Sequence, residues 1–326
     1  MISTQLPSIP IRLRRNRRSA AIRKMVQETE LNAADFVIPL FVIEGQNRSI
    51  PIQSMPGISR LSIDLLLKKI DYLLAKGIQS ICLFPSIEND LRSEAAEEAW
   101  NDQGLTQRAI RTVKQRFPEL CIMADVALDP YTSHGHDGLA RGGEIINDES
   151  VECLVKMALA QAEAGVDFVA PSDMMDGRVR AIRQALDEHG FNQVGLLAYS
   201  AKYASSLYGP FREALNVNLT FGDKKTYQLD PANVREALLE AKLDEEEGAD
   251  ILLVKPALYY LDVIAKLRER TDRPIAAYHV SGEYAMVMAA AERGWLDAAK
   301  VFAEALLSIK RAGADLIFTY AAELLL

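Results

Sequence analysis

Two lysines carry the first chemical suggestion in this chain. In ILLVKP (251–256) four aliphatic residues run straight into Lys255, and Pro256 follows. Such a run reads as a strand buried on both faces. An ammonium at its end is costly to desolvate and tends to be neutralised. Lys202 lies just beyond a second apolar run, VGLLAYS (194–200). Two ammonium groups on neighbouring strands disfavour each other's charge, and desolvation acts in the same direction. Both effects lower a lysine pKa and leave a neutral amine, the form that attacks a ketone or aldehyde to give a Schiff base. A strand-end lysine on its own is more often an ion-pair partner, so the rest of the polar set has to be weighed with it.

Other reactive groups stand at the ends of apolar runs: Asp125 and Asp129, Ser172 and Asp173, Ser200, Ser281 and Tyr320. The stretch ADVALDPYTSHGHDGL (124–139) places Asp129, His134, His136 and Asp137 within nine positions. Carboxylates at that density suit a hard cation such as Mg²⁺. A turn with hydrogen-bonded imidazoles around Gly135 is the plainer alternative. YGPFREALNVNLTFGDKKTYQLD (208–230) carries Arg212, Lys224 and Lys225 on a long connection, which suggests a lid that clamps a carboxylate. Ser281 is placed to cap a helix beginning near Gly282, where an anion is welcome, and Tyr320 could donate to the same anion. The acidic run LLEAKLDEEEGAD (238–250) reads mostly as the solvated face of a helix.

What must hold these groups is legible from periodicity. Apolar runs of strand length fall at 35–42, 80–85, 121–128, 168–172, 194–200, 251–255, 275–280 and 316–320. Helical segments are predicted at 61–76, 107–117, 149–164, 176–189, 233–247, 257–270, 283–294 and 298–312. In the last of these, Val301, Phe302, Ala305, Leu306 and Ile309 recur at helical spacing. Eight strands alternating with eight helices predict a (β/α)8 TIM barrel, with the reactive groups gathered at its C-terminal face. A doubly wound nucleotide-binding sheet would carry G-x-G-x-x-G after a strand, and the sequence has none. The connections 129–148 and 201–232 are long for barrel loops and read as functional.

The 326 residues are 49% apolar and 25% charged, ordinary globular composition with material for one large core. A net charge of −8 argues against a general nucleic-acid role. No apolar run approaches the roughly 18 residues of a membrane span. Cys82, Cys121 and Cys153 lack C-x-x-C spacing and read as free thiols of a reducing, cytoplasmic setting. The first 27 residues hold seven basic residues and no acidic one. A transit peptide, an RNA contact and a basic arm docked on an acidic partner chain all fit that charge; no apolar segment of secretory type follows it.

Taken together, RLRRN, DVALDPYTSHGHDG, APSDMMDGRV, YSAKYASSLYGPFREA, GDKKTYQLD, LLVKP, YHVSGEYAM and TYAAELL resemble the porphobilinogen synthase (5-aminolaevulinate dehydratase) family, in order from arm to C-terminus. The resemblance implies a (β/α)8 barrel over 31–326 with an N-terminal arm, 1–30, for intersubunit contacts. It implies condensation of two 5-aminolaevulinate molecules to porphobilinogen with loss of two waters, an early step of tetrapyrrole synthesis. Lys255 matches the principal Schiff-base lysine and Lys202 its partner. Arg212, Lys224 and Gln228 match groups on one substrate carboxylate, Ser281 and Tyr320 those on the other, and Asp125 an aspartate near the reacting amino group.

Zinc-dependent members of that family carry three cysteines where this chain has Ala127, Asp129 and Asp137. The resemblance is therefore to the magnesium-type branch, with Asp129 and Asp137 as candidates for an active-site metal. Glu240 matches an allosteric Mg²⁺ ligand, with Asp173 and Arg178 expected nearby through water. The family also implies a homo-octamer of arm-exchanged dimers, which favours the arm over a cleaved peptide or an RNA contact, and a cytoplasmic or, in a plant or alga, plastid-stromal enzyme. A class I aldolase is the nearest rival; the second lysine and two separate carboxylate sites oppose it. A catalytically dead barrel would be expected to lose Lys202 or Lys255.

Overall fold

A computed structural model of the chain describes residues 10–326. Of the predicted arm, residues 1–9 lie outside the described part. Residues 10–30 hold a short 3-10 turn (Leu13–Arg17) and helix α1 (Ala20–Met25), neither with a buried residue.

The eight predicted runs form the barrel. They are β1 (Phe36–Ile43), β4 (Ser80–Pro85), β5 (Cys121–Val126), β8 (Phe168–Pro171), β9 (Gly195–Lys202), β10 (Ile251–Lys255), β11 (Ile275–Tyr278) and β12 (Leu316–Phe318). Each pairs in parallel with the next, and β12 returns to β1 through Phe36↔Ile317 and Val37↔Phe318, closing the ring. Four short strands decorate the loops: β2 (Ser49–Pro51) and β3 (Ser59–Ser62) extend the rim beside β1, and β6 (Leu139–Arg141) pairs with β7 (Glu144–Ile146).

Period-two alternation explains why these runs read as unbroken apolar stretches. In β1, Val37 and Phe41 point into the ring, where they join Phe84, Tyr199, Tyr278 and Phe318. Ile38, Leu40 and Val42 point outward onto the helices. Each such side chain buried contributes roughly 1.5–3 kcal/mol.

The helices are α2 (Ile63–Ala75), α3 (Leu105–Arg116), α4 (Asn147–Glu163), α5 (Arg178–Glu188), α6 (Gly209–Leu215), α7 (Arg235–Glu246), α8 (Leu261–Arg268), α9 (Ser281–Glu292) and α10 (Ala298–Ala312). All eight predicted helices are present, and α6 is an addition within the long 201–232 connection. Strict alternation fails at the end. Both α9 and α10 lie between β11 and β12, and β12 is followed only by a 3-10 turn, Ala322–Leu324.

Candidate active site

Strand pairing brings the two lysines together. Ile251 and Leu252 lie opposite Leu197 and Ala198, but Val254 lies opposite Ala201 and Lys255 opposite Lys202. Strand β9 thus carries one extra residue. Under strict alternation from the inward Tyr199, Lys202 would face outward; the bulge returns it to the interior beside Lys255. The strand extends to Lys202, two residues past its predicted end.

The two amines have different surroundings. Lys255 is buried, and its Nζ sits 4.5 Å from the ring centre of Tyr278, 4.8 Å from Phe211, 5.2 Å from Tyr199 and 5.3 Å from Tyr208. Burial in this aromatic cage, with Lys202 alongside, pushes its pKa down to about 7 against the pull of Asp125, Asp129 and Asp137. Lys202 instead lies 3.1 Å from Asp137 Oδ1 and donates to the Ser172 carbonyl. Among the described residues Lys255 has no such ion pair.

Asp125 is also buried. Its pKa is pushed up to about 7, first by burial and then by Asp129, and its Oδ1 has no hydrogen-bond partner among the described residues. It can therefore exchange a proton near neutrality.

Asp129 and Asp137, expected from the sequence to suit a hard cation, are joined by Lys224. Its Nζ lies 3.1 Å from Asp129 Oδ2 and 2.6 Å from Asp137 Oδ2. Burial alone would raise the Asp137 pKa, but Lys202 and Lys224 hold it well below the usual carboxylate range. The Tyr227 hydroxyl donates to Asp137 Oδ2 at 2.9 Å. Both Asp137 oxygens and Asp129 Oδ2 are already engaged by ammonium groups or a hydroxyl, an arrangement that does not fit a Mg²⁺ bound directly by Asp137. Among the described residues no group of three or more His, Cys, Asp or Glu side chains is spaced to hold a metal ion.

Tyr227 and Phe221 fasten the long connection over the site. The Tyr227 hydroxyl meets His136 Nδ1 at 2.9 Å, and the Phe221 carbonyl meets His136 Nε2 at 3.0 Å. The His-x-His motif thus serves as an anchor for the lid. Beneath it Asp125, Asp129, Ser172, Lys202, Arg212, Lys224, Gln228 and Lys255 converge around about 20 Å³ of free space, room for a single water. A larger guest requires the lid to lift.

Ser281 and Tyr320 stand on the other side of the aromatic cage. The Tyr320 hydroxyl meets that of Tyr278 at 3.0 Å, and Tyr320 lines a separate cavity of about 140 Å³ with Phe41 and Ile58. Ser281 is the first residue of α9 rather than its cap. Val280 holds the cap position, and the Glu283 carboxylate accepts the Val280 N–H.

Glu240 is remote from the lysines. It borders a cavity of about 750 Å³ on α7, shared with Glu236, Asp176 and lid residues including Phe221, Lys225 and Tyr227. Burial raises its pKa despite the nearby Arg178. Arg178 is fully buried and pairs with Asp244 at 3.2 Å and Asp173 at 3.8 Å, and Asp173 Oδ2 lacks a hydrogen-bond partner among the described residues. A half-buried carboxylate destabilised by burial and by Asp244, Asp176 and Glu236, on a broad cavity with room for water, fits a hard cation held mainly through water.

The cage of Tyr199, Tyr208, Phe211 and Tyr278, the lid latch at Tyr227 and the buried Glu283 are functional features that the sequence alone does not single out. The cage residues come from three separate segments, so no local pattern joins them. Tyr227 sits in the quoted motif GDKKTYQLD, which was the only signal for it.

Comparison with known proteins agrees with this geometry. The Delta-aminolevulinic acid dehydratase family model matches residues 10–326. A chloroplastic delta-aminolevulinic acid dehydratase of Physcomitrium patens is 57% identical over 318 residues, covering 96% of this chain and 72% of that protein. The delta-aminolevulinic acid dehydratase of Chlamydia pneumoniae is 52% identical over 315 residues, covering 97% and 95%. The crystal structure of the Toxoplasma gondii delta-aminolevulinic acid dehydratase (porphobilinogen synthase), in complex with the reaction product porphobilinogen, superposes with a TM-score of 0.95 at 52% identity, covering 96% of this chain and 90% of that one. By fold, by the convergence of its polar strand ends and by these matches, this chain belongs to the delta-aminolevulinic acid dehydratase family.

Proposed function

We propose that this enzyme condenses two molecules of 5-aminolaevulinate into porphobilinogen, releasing two waters. The observation that carries the reading is the opposed pair Lys202 and Lys255 at the barrel rim, with Lys255 caged by aromatic rings and, among the described residues, free of a carboxylate partner. The uncharged Lys255 amine attacks a substrate ketone. The carbinolamine loses water to give an imine, an electron sink that acidifies the adjacent carbon. Lys202 holds the other substrate, and Asp125 takes or returns protons at the amino group that closes the ring. Arg212, Lys224 and Gln228 bind one carboxylate, and Ser281 and Tyr320 bind the other. For Lys224 this means exchanging Asp129 and Asp137 for the incoming carboxylate as the lid opens and closes. Holding both substrates in place turns a bimolecular step into a positioned one, worth up to about 7–11 kcal/mol of barrier. The closed lid keeps water from hydrolysing the imines.

Glu240 would hold a Mg²⁺ ion, largely through water, with Asp173 and Arg178 behind it. The ion would supply positive charge that relieves the raised pKa of Glu240. The basic residues 1–30 would grip the acidic barrel of a second chain, giving arm-exchanged dimers and a homo-octamer. Light scattering on the full chain and on one lacking residues 1–30 tests that assembly. No helix of the described residues is long and apolar enough to cross a membrane. We place the enzyme in the cytoplasm or, in a plant or alga, in the plastid stroma.

The test is incubation with 5-aminolaevulinate, reading the coloured adduct of the pyrrole with p-dimethylaminobenzaldehyde. The wild type should develop colour and Lys255→Met should not. Substantial turnover by Lys255→Met rejects the assignment.

A further inference from the structure

One buried carboxylate has no part in the chemistry above. Glu283 is fully buried on the first turn of α9. Among the described residues it has no cation partner. Its Oε2 accepts the Val280 N–H at 2.7 Å, which caps its own helix. Its Oε1 accepts the Leu258 N–H at 2.8 Å, on the turn that leaves β10 three residues after Lys255. A cap needs only the first of these bonds. The second reaches a different element.

The same few residues touch a third element. A Cβ on Gly282 would lie 2.5 Å from the Leu207 carbonyl oxygen and 2.8 Å from Leu207 Cα, so the start of α9 is pressed against the backbone there. The Ser281 hydroxyl donates to that same carbonyl at 3.4 Å. Leu207 leads directly into Tyr208, whose hydroxyl donates to the Lys255 carbonyl at 3.2 Å, and on to Phe211 of the cage. The carbonyl of Lys255 thus faces Tyr208, while the backbone just beyond Lys255 is held by Glu283.

We propose that Glu283 is a positioning residue, which by bridging the Lys255 turn to the start of α9 fixes the imine-forming amine relative to Ser281 and the cage. The inference rests on the functional reading above, in which Lys255 and Ser281 act on substrate. Glu283 touches neither substrate nor reacting atoms; it acts through backbone N–H groups. Misplacing a reacting group by about 1 Å is enough to cost about a hundredfold in rate.

Two variants separate bridging from capping. Glu283→Asp is one methylene shorter; it can still cap Val280 but cannot also span to Leu258. Glu283→Gln keeps the length but offers one acceptor oxygen in place of two. Both are assayed with 5-aminolaevulinate for kcat and KM. Borohydride trapping counts reactive Lys255 per chain, and thermal unfolding checks the fold. The expected result is a fall in kcat of about tenfold to a hundredfold per trappable site in both variants, with the Asp variant unfolding close to the wild-type temperature. Wild-type kcat per trappable site in Glu283→Asp overturns the proposal, because a cap alone then suffices. A fall explained wholly by fewer folded chains overturns it as well. A wild type that gives no pyrrole overturns the functional reading itself and this inference with it, an outcome distinct from a variant that matches an active wild type.

Discussion

Lys255→Met should make the protein more stable while removing its activity. The amine of Lys255 is pushed from the ordinary 10.5 down to about 7, chiefly by burial and next by Lys202. That gap of about 3.5 pH units, at roughly 1.4 kcal/mol each, means the charged form costs the fold about 5 kcal/mol. The sign follows from proton counts. Below pH 7 the lysine is charged in both folded and unfolded chains, so the whole cost is present. Between pH 7 and 10.5 the unfolded chain binds the extra proton, and stability rises with pH. Above 10.5 the amine is neutral in both states and the cost is gone. Methionine fills the aromatic cage with an unbranched apolar chain and favourable sulfur–ring contacts, but gives up the cation–π attraction of the four rings. The net stabilisation should be about 3–5 kcal/mol at pH 6–7, shrinking steadily toward pH 10. Urea unfolding of both proteins at equal chain concentration across that range measures it. A Met variant less stable than the wild type at pH 7, or a difference independent of pH, would refute the reasoning that Lys255 is a desolvated and unpaired amine.

Three further outcomes follow from the same site. Asp137→Asn leaves Lys202 and Lys224 buried without their shared partner, so stability measured by urea unfolding should fall by about 3–5 kcal/mol at pH 7. Because the folded pKa of Asp137 is depressed, its contribution is present above the unfolded carboxylate range and is lost as pH falls below it, so wild type and variant should converge in acid. Tyr227→Phe removes the hydroxyl that fastens the lid to Asp137 and His136; hydrogen exchange over residues 217–228 should speed up and KM should rise with little change in global stability. Glu240→Ala should abolish Mg²⁺ binding followed by calorimetry and any Mg²⁺-dependent rise in rate, while the rate measured without Mg²⁺ stays near that of the wild type.

How much of this could be read from the sequence differs by level. All eight barrel strands were legible, because strands covered on both faces leave short unbroken apolar runs such as ILLVK, and their length and alternation with helical segments set them apart from buried helices. Their ends moved by at most two residues, and β4 and β10 kept both; at β9 the strand ran on to Lys202, and the bulge that turns Lys202 inward has no signature in YSAK. The helices were legible from their apolar periodicity, including the two, α9 and α10, that share the connection between β11 and β12; the short α6 was not. The residues that meet at the rim were legible one at a time, as polar groups ending apolar runs. Their pairing was not. That Lys202 takes Asp137 while Lys255 takes none depends on side chains from four segments. That Asp129 and Asp137 share an ammonium was hidden for the same reason: Lys224, which sits between them, lies 87 residues beyond Asp137 in the chain. Ser281 looked like a cap because serine favours that position, yet the cap bond is made by Glu283, two residues later. A glutamate in a first helical turn is too ordinary to announce that it also holds the turn after Lys255.

The central claim is that a neutral amine on β10 captures a substrate ketone. Borohydride reduction in the presence of 5-aminolaevulinate, followed by peptide mass mapping, tests it most directly. The account predicts a reduced adduct on the peptide containing Lys255, forming faster as pH rises through about 7, with any second adduct confined to Lys202. Adducts scattered over exposed lysines such as Lys225 and Lys300, with residue 255 unmodified, would contradict it.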